Sequence, residues 1–102
     1  MSDQEKKTGP RKLNLQIQLD EEMAQGAYAN LAMVNHTESE FTLDFIYVQP
    51  QQPKAKVRAR VITSPKHTKR LLEALKENIK KYEDRFGTID ISGPGPQDEF
   101  LH

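Results

Sequence analysis

Residues 54–87 read KAKVRARVITSPKHTKRLLEALKENIKKYEDRFG, and a change of period inside this stretch decides the fold. Over Lys54–Ile62 the repeat is two: Ala55, Val57, Ala59 and Val61 alternate with Lys54, Lys56, Arg58 and Arg60. Successive side chains of a strand point to opposite faces, so this segment is expected to turn an apolar face inward and a basic face outward. After Thr63 the repeat becomes three and four, with Leu71, Leu72, Leu75, Ile79, Tyr82 and Phe86 on one stripe of an α-helix. Ser64 suits the N-cap, Pro65 the first helical position, and Gly87 the left-handed residue beyond the end. The predicted helix is Pro65–Phe86, roughly 33 Å long. Glu73–Glu77–Lys81 and Glu77–Lys80 offer favourable pairs on its exposed side.

Upstream, three further segments carry strand patterns. In Leu13–Asp20, Leu13, Leu15, Ile17 and Leu19 oppose Asn14, Gln16, Gln18 and Asp20. In Phe41–Gln49, Phe41, Leu43, Phe45 and Tyr47 share a face, and the other face mixes Thr42, Asp44, Ile46 and Val48. Ala27–Asn35 has helical composition in AYANLA, yet it leads into a turn and then a two-period neighbour, which argues for a hairpin. Glu21–Gly26 is short enough for a turn or one helical turn, and the prolines of Gln49–Pro53 make that segment a loop. The expectation is an α+β domain: an antiparallel meander of about four strands followed by one long amphipathic C-terminal helix packed on one face. Its core would combine the helix stripe with Leu15, Ile17, Leu31, Phe41, Leu43, Phe45, Val57 and Val61.

The chain has 102 residues, room for one domain. Residues 1–12 hold one apolar residue, Met1, and residues 92–102 carry Gly93-Pro94-Gly95-Pro96; both read as disordered tails around a domain at 13–91. Thr88–Ile91 alternates like a strand that can add to a sheet edge, that of a neighbouring subunit included, and Phe100-Leu101 reads as a short linear anchor. A core this small supplies only about 3–5 kcal/mol by itself. A homodimer is therefore expected, since association buries more apolar surface.

Cysteine is absent, which removes disulfides, thiolate metal sites and cysteine nucleophiles. No apolar run resembles a signal peptide or a membrane span, so a cytoplasmic protein without membrane partners is expected, and the sequon Asn35-His36-Thr37 reads as turn residues. His36, His67 and His102 lack the close-paired spacing of a zinc site. Asp20, Glu21, Glu22 and Asp44 read as solvated carboxylates rather than an acid–base pair. The glycine cluster places proline where a phosphate nest needs N–H groups. No catalytic residue, cofactor site or metal site is assigned.

Net charge is zero, but unevenly distributed. Between Leu13 and Pro53 stand six acids and no Lys or Arg, whereas Lys54–Lys81 holds ten bases against Glu73 and Glu77. Lys54, Lys56, Arg58 and Arg60 would lie about 7 Å apart on one strand face, with Lys66, Lys69 and Arg70 following in the helix's first turns. These seven are the candidate anion or nucleic-acid contacts. Aromatic residues do not interleave with them in sequence, as a single-strand platform would require, and the acidic half offers them a partner.

Residues 28–50, YANLAMVNHTESEFTLDFIYVQP, and 54–89 together resemble the bacterial domain-of-unknown-function family numbered 3467. The resemblance covers Leu13 to about Ile91. It is most specific at Glu40-Phe41 with Asp44-Phe45, at Ser64-Pro65-Lys66-His67 with Lys69-Arg70-Leu71, and at Asn78 with Tyr82-Glu83 and Phe86-Gly87. It implies a bacterial, cytosolic protein of one short domain, and no activity or binding residue comes with it. Three functional readings follow from the residues. The first is a non-enzymatic homodimeric binding or adaptor module for another macromolecule, a protein before others. The second is nucleic-acid binding through strand 54–60 and helix start 66–70. The third is a small-ligand binder or enzyme with its site between subunits.

Overall fold

A computed structural model describes residues 14–93. In chain order its elements are α1 (Glu21–Ala24), β1 (Leu31–His36), β2 (Phe41–Val48), β3 (Ala55–Thr63) and α2 (Pro65–Phe86). The strands form one antiparallel sheet in the order β1-β2-β3. This is the expected α+β architecture with three strands instead of about four.

The missing strand is the first one. Asn14–Asp20 joins no ladder, and Leu15, Ile17 and Leu19 are 77%, 84% and 65% exposed, so neither Leu15 nor Ile17 is core. Leu13 lies outside the described residues, as do most of the two tails and Phe100-Leu101. Thr88–Ile91 also forms no strand. The α1 turn follows from Asp20, whose carbonyl accepts from Ala24 N–H, and it ends where Gly26 takes a positive φ of 75°.

The β1–β2 hairpin turns at Thr37–Glu40. Thr37 N–H donates to the Glu40 carbonyl, and the Thr37 hydroxyl accepts from Ser39 and Glu40 N–H. His36 stays in β1, stacked on its register partner Phe41 with ring centroids 5.3 Å apart. The Gln49–Pro53 loop is closed by Gln49 N–H to the Lys54 carbonyl.

Helix α2 has the predicted bounds. The Ser64 hydroxyl accepts from His67 N–H at 3.1 Å, Pro65 opens the first turn, and Gly87 at φ 100° ends the last. Its exposed ion pairs differ from the expected ones: Lys76 meets Glu73 and Lys80 meets Asp84, and none involves Glu77 among the described residues. Solvated pairs of this kind contribute little, so their choice leaves the fold unchanged.

Paired residues of an antiparallel ladder share a face, and one face of the sheet carries Ala32, Val34, Leu43, Phe45, Ala59 and Val61. The first half of α2 lies over the β1–β2 side of this face. Leu71, Leu72 and Leu75 line a groove with Ala32, Val34, Leu43 and Phe45, and all three leucines remain at least 40% exposed. Val61 is outside that groove and exposed. Buried apolar side chains among the described residues are Leu43, Ile46 and Val48, all from β2. The core is thus the central strand, on both of its faces. Phe45, Val57 and Val61, which the alternation assigns to the interior, are left partly in water.

Candidate functional site

One irregularity reorganises the candidate site. Phe45 pairs with Ala59, but Ile46 pairs with Val57, so Arg58 is an extra residue in β3. A bulge of one residue reverses the alternation beyond it. Ala59 and Val61 therefore share the α2 face with Phe45 and Leu43, while Val57 and Ala55 share the opposite face with Ile46 and Val48. The expectation of one apolar face through Ala55, Val57, Ala59 and Val61 is corrected accordingly.

The same bulge splits the basic row. Lys56 pairs with Tyr47 on the α2 face, and Arg60 pairs with Asp44 on the other. Arg60 is also committed: its Nε and Nη2 donate to the Asp44 carboxylate oxygens at 2.7 and 2.9 Å. Asp44 is buried, and the guanidinium beside it holds its carboxyl below the ordinary range, against the opposing effect of burial. This geometry holds Asp44 as a fixed acceptor for Arg60, and its lowered pKa makes it a weak base.

Tyr47, Gln49, Lys54, Lys56 and Arg58 line an open cleft of about 510 Å³ at the far end of the sheet. Tyr28 meets the Tyr47 ring edge-on with centroids 6.0 Å apart. Lys54, Lys56 and Arg58 have no acidic partner among the described residues. Sequence order hides this gathering of aromatic and basic groups, because Tyr47 reaches Lys56 through strand pairing and Arg58 reaches them through the bulge. Lys66, Lys69 and Arg70 line a separate depression with Glu73 on α2. The seven candidate cations thus occupy three places: the cleft, the Asp44 pair and the helix start.

A second feature escapes the sequence reading. The Asn30 side-chain amide donates to the Val48 carbonyl at 3.0 Å and accepts from Val48 N–H at 2.8 Å, while Asn30 N–H donates to the Ile46 carbonyl. One side chain thereby continues the ladder beyond the end of β1 and satisfies the backbone of Val48, which is 1% exposed. An Asn placed just before an apolar strand is the only signal for it.

The groove between α2 and the sheet has a volume of about 240 Å³, and among the described residues Thr68 is the sole polar one in its walls. No group of three or more His, Asp or Glu side chains able to hold a metal occurs among the described residues. No helix of the described residues is long and apolar enough to cross a membrane.

These features define an α+β domain built on a three-stranded antiparallel meander, with a long C-terminal helix standing off one face and a basic, tyrosine-lined cleft at one end. The chain belongs to the family described as "Protein of unknown function (DUF3467)", whose model matches residues 1–91. The match includes the first 12 residues, which composition alone sets aside as a tail. No curated protein and no solved structure matches the chain.

Proposed function

We propose that this chain is a non-enzymatic binding module of the bacterial cytoplasm, which acts as a homodimer and holds an apolar segment of a protein partner. The groove between α2 and the sheet carries the reading. Its walls are Ala32, Val34, Leu43, Phe45, Leu71, Leu72 and Leu75, with Thr68 at one end. At about 240 Å³ it is smaller than the roughly 300–1,000 Å³ of small-molecule sites. Space of that size, apolar and open, fits one or two large side chains, the anchors on which protein recognition concentrates. The small core favours association.

The test is selection from a displayed peptide library, with Leu72→Glu as counter-selection and light scattering to fix the subunit number. Enrichment of peptides with spaced apolar anchors, lost in Leu72→Glu, is expected for a dimer. No enrichment, or enrichment indifferent to Leu72→Glu, removes the reading.

One observation favours a second reading, nucleic-acid binding at the cleft. Tyr47 stands opposite Lys56 and near Arg58, with Tyr28 against its edge, which supplies the stacking surface that the sequence order lacks. Labelled single-stranded nucleic acid, titrated at two salt concentrations, separates the readings. Binding that is steeply salt-dependent, lost in Tyr47→Ala and Arg58→Glu and kept in Arg60→Met supports the cleft. Absence of binding at low salt leaves the protein reading alone.

A further inference from the structure

Asn14–Asp20 has the properties of a strand except a neighbour. It is followed by a turn, alternates apolar and polar residues, and exposes Leu15, Ile17 and Leu19 to solvent. None of its backbone groups short of the Asp20 carbonyl bonds to the backbone of another described residue. The sheet has the complementary feature: among the described residues β1 and β3 are both edges, and β3 presents Val57, Val61 and Ile62 half-exposed. An unpaired strand beside an unpaired edge is the condition for strand addition.

We infer that Asn14–Asp20 of one copy adds as a fourth strand to the β3 edge of a second copy, and that the exchange, made in both directions, builds the homodimer. The inference rests on the homodimer reading above and deepens it. Charge selects the edge. Bulged at Arg58, β3 offers Ala59–Thr63 as a regular edge, and antiparallel addition centred on Ile17 opposite Val61 sets Leu15 by Thr63 and Leu19 by Ala59. In that register Asp20 arrives beside Arg58, and Glu21 and Glu22 run on toward Lys56. The apolar row then lies with Ala59 and Val61 on the α2 face, while Gln16 and Gln18 flank Ile62 and Arg60. The alternative edge, β1, reads LAMVNH and has no Lys or Arg for the acidic end to meet. Both exchanges are related by a two-fold axis, so the assembly closes at two copies. It also sets carboxylates against Arg58 and Lys56, which disfavours an anion there.

The test uses the full chain. Gln16→Pro removes one strand N–H without touching the folded sheet, and the lack of native cysteine allows single-cysteine variants. Expected are a dimer by light scattering, amides of residues 15–19 protected from exchange, loss of that protection on dilution, and dimer affinity weakened at least tenfold in Gln16→Pro. Mixed Ile17→Cys and Val61→Cys chains should form a disulfide between copies, which a Cα separation of roughly 4.4–6.8 Å permits. A wild-type monomer overturns both this inference and the homodimer reading. A dimer with unprotected residues 15–19 and unaffected by Gln16→Pro overturns only the exchange. Protection that survives full dissociation means pairing within one chain and overturns it as well. Preferential cross-linking of Ile17→Cys to Val34→Cys overturns the choice of edge.

Discussion

Asp44 and Arg60 lie opposite each other in the β2–β3 register, and the guanidinium grips the buried carboxylate through two hydrogen bonds of 2.7 and 2.9 Å. Fork-to-fork pairing fixes the two strands in one register, because a shift by one residue would carry the carboxylate to the other face. Its position just before the bulge matters, since the ladder changes pairing at the next residues, Phe45 and Ile46.

The pair makes stability depend on pH in a defined direction. Arg60 holds the folded Asp44 below its ordinary value of 3.8, while the unfolded chain keeps that value. A carboxyl depressed in the folded state stabilises the fold above the unfolded pKa, and the contribution disappears as pH falls through the folded one. Thermal stability of the wild type is expected to fall as pH drops below about 4. In Arg60→Met the desolvated carboxylate loses its partner, its folded pKa rises, and the acid limb flattens on top of a lower stability at neutral pH. Melting curves across the acid range check this; parallel pH profiles for the two proteins would refute it.

Asn30→Ala removes both bonds to the Val48 backbone and leaves a buried N–H and C=O without a ladder partner. The expected cost is about 1–3 kcal/mol. Asn30→Asp keeps the acceptor for Val48 N–H and loses the donor to the carbonyl, so it should retain part of the stability at neutral pH. Urea denaturation of the three proteins would rank them. An Asn30→Ala variant as stable as wild type would show that water replaces the amide.

Helix α2 depends on its cap more than a fully packed helix would, because Leu71, Leu72, Leu75, Ile79, Tyr82 and Phe86 all remain substantially exposed. Ser64→Ala removes the acceptor for His67 N–H and is expected to cost about 1 kcal/mol, whereas Ser64→Asp should be close to neutral. Circular dichroism melts read both effects. Equal stability of Ser64→Ala and wild type would mean that the first turn of α2 is held from elsewhere.

The helix was legible because its signals are local: cap, proline, stripe and glycine all act within a turn of the residues they specify. Strand existence was legible for the same reason, through the alternation of Phe41–Val48 and Ala55–Thr63. Which residues face α2 was less so. Alternation predicts a face only while the ladder is regular, and an extra residue at Arg58 turns Val57 and Ala55 away from Val61 without altering the sequence pattern. The candidate site shared that fate, since Tyr47 and Lys56 meet only through pairing. Asn14–Asp20 exposes another limit: a strand pattern calls for a partner, and none of the described residues pairs with it.

Phe45 and Val48 test where the core lies. Alternation assigns Phe45 to the interior, with a loss of about 3–5 kcal/mol on truncation if it were fully buried. It is instead 36% exposed on the wall of the α2 groove, while Val48 is 1% exposed. Val48→Ala deletes two methyl groups from a closed site and should cost about 2 kcal/mol. Phe45→Ala deletes a larger group from an open one, so the cost should fall below about 3 kcal/mol despite the greater lost volume. It should nevertheless abolish capture of apolar peptides, because the groove loses the ring that forms its wall, whereas Val48→Ala should leave capture intact. Urea denaturation and peptide titration on both variants separate core from site. If Phe45→Ala costs less than about 1 kcal/mol, α2 does not pack on this face at all. A loss near the fully buried value would instead place a second element over the groove.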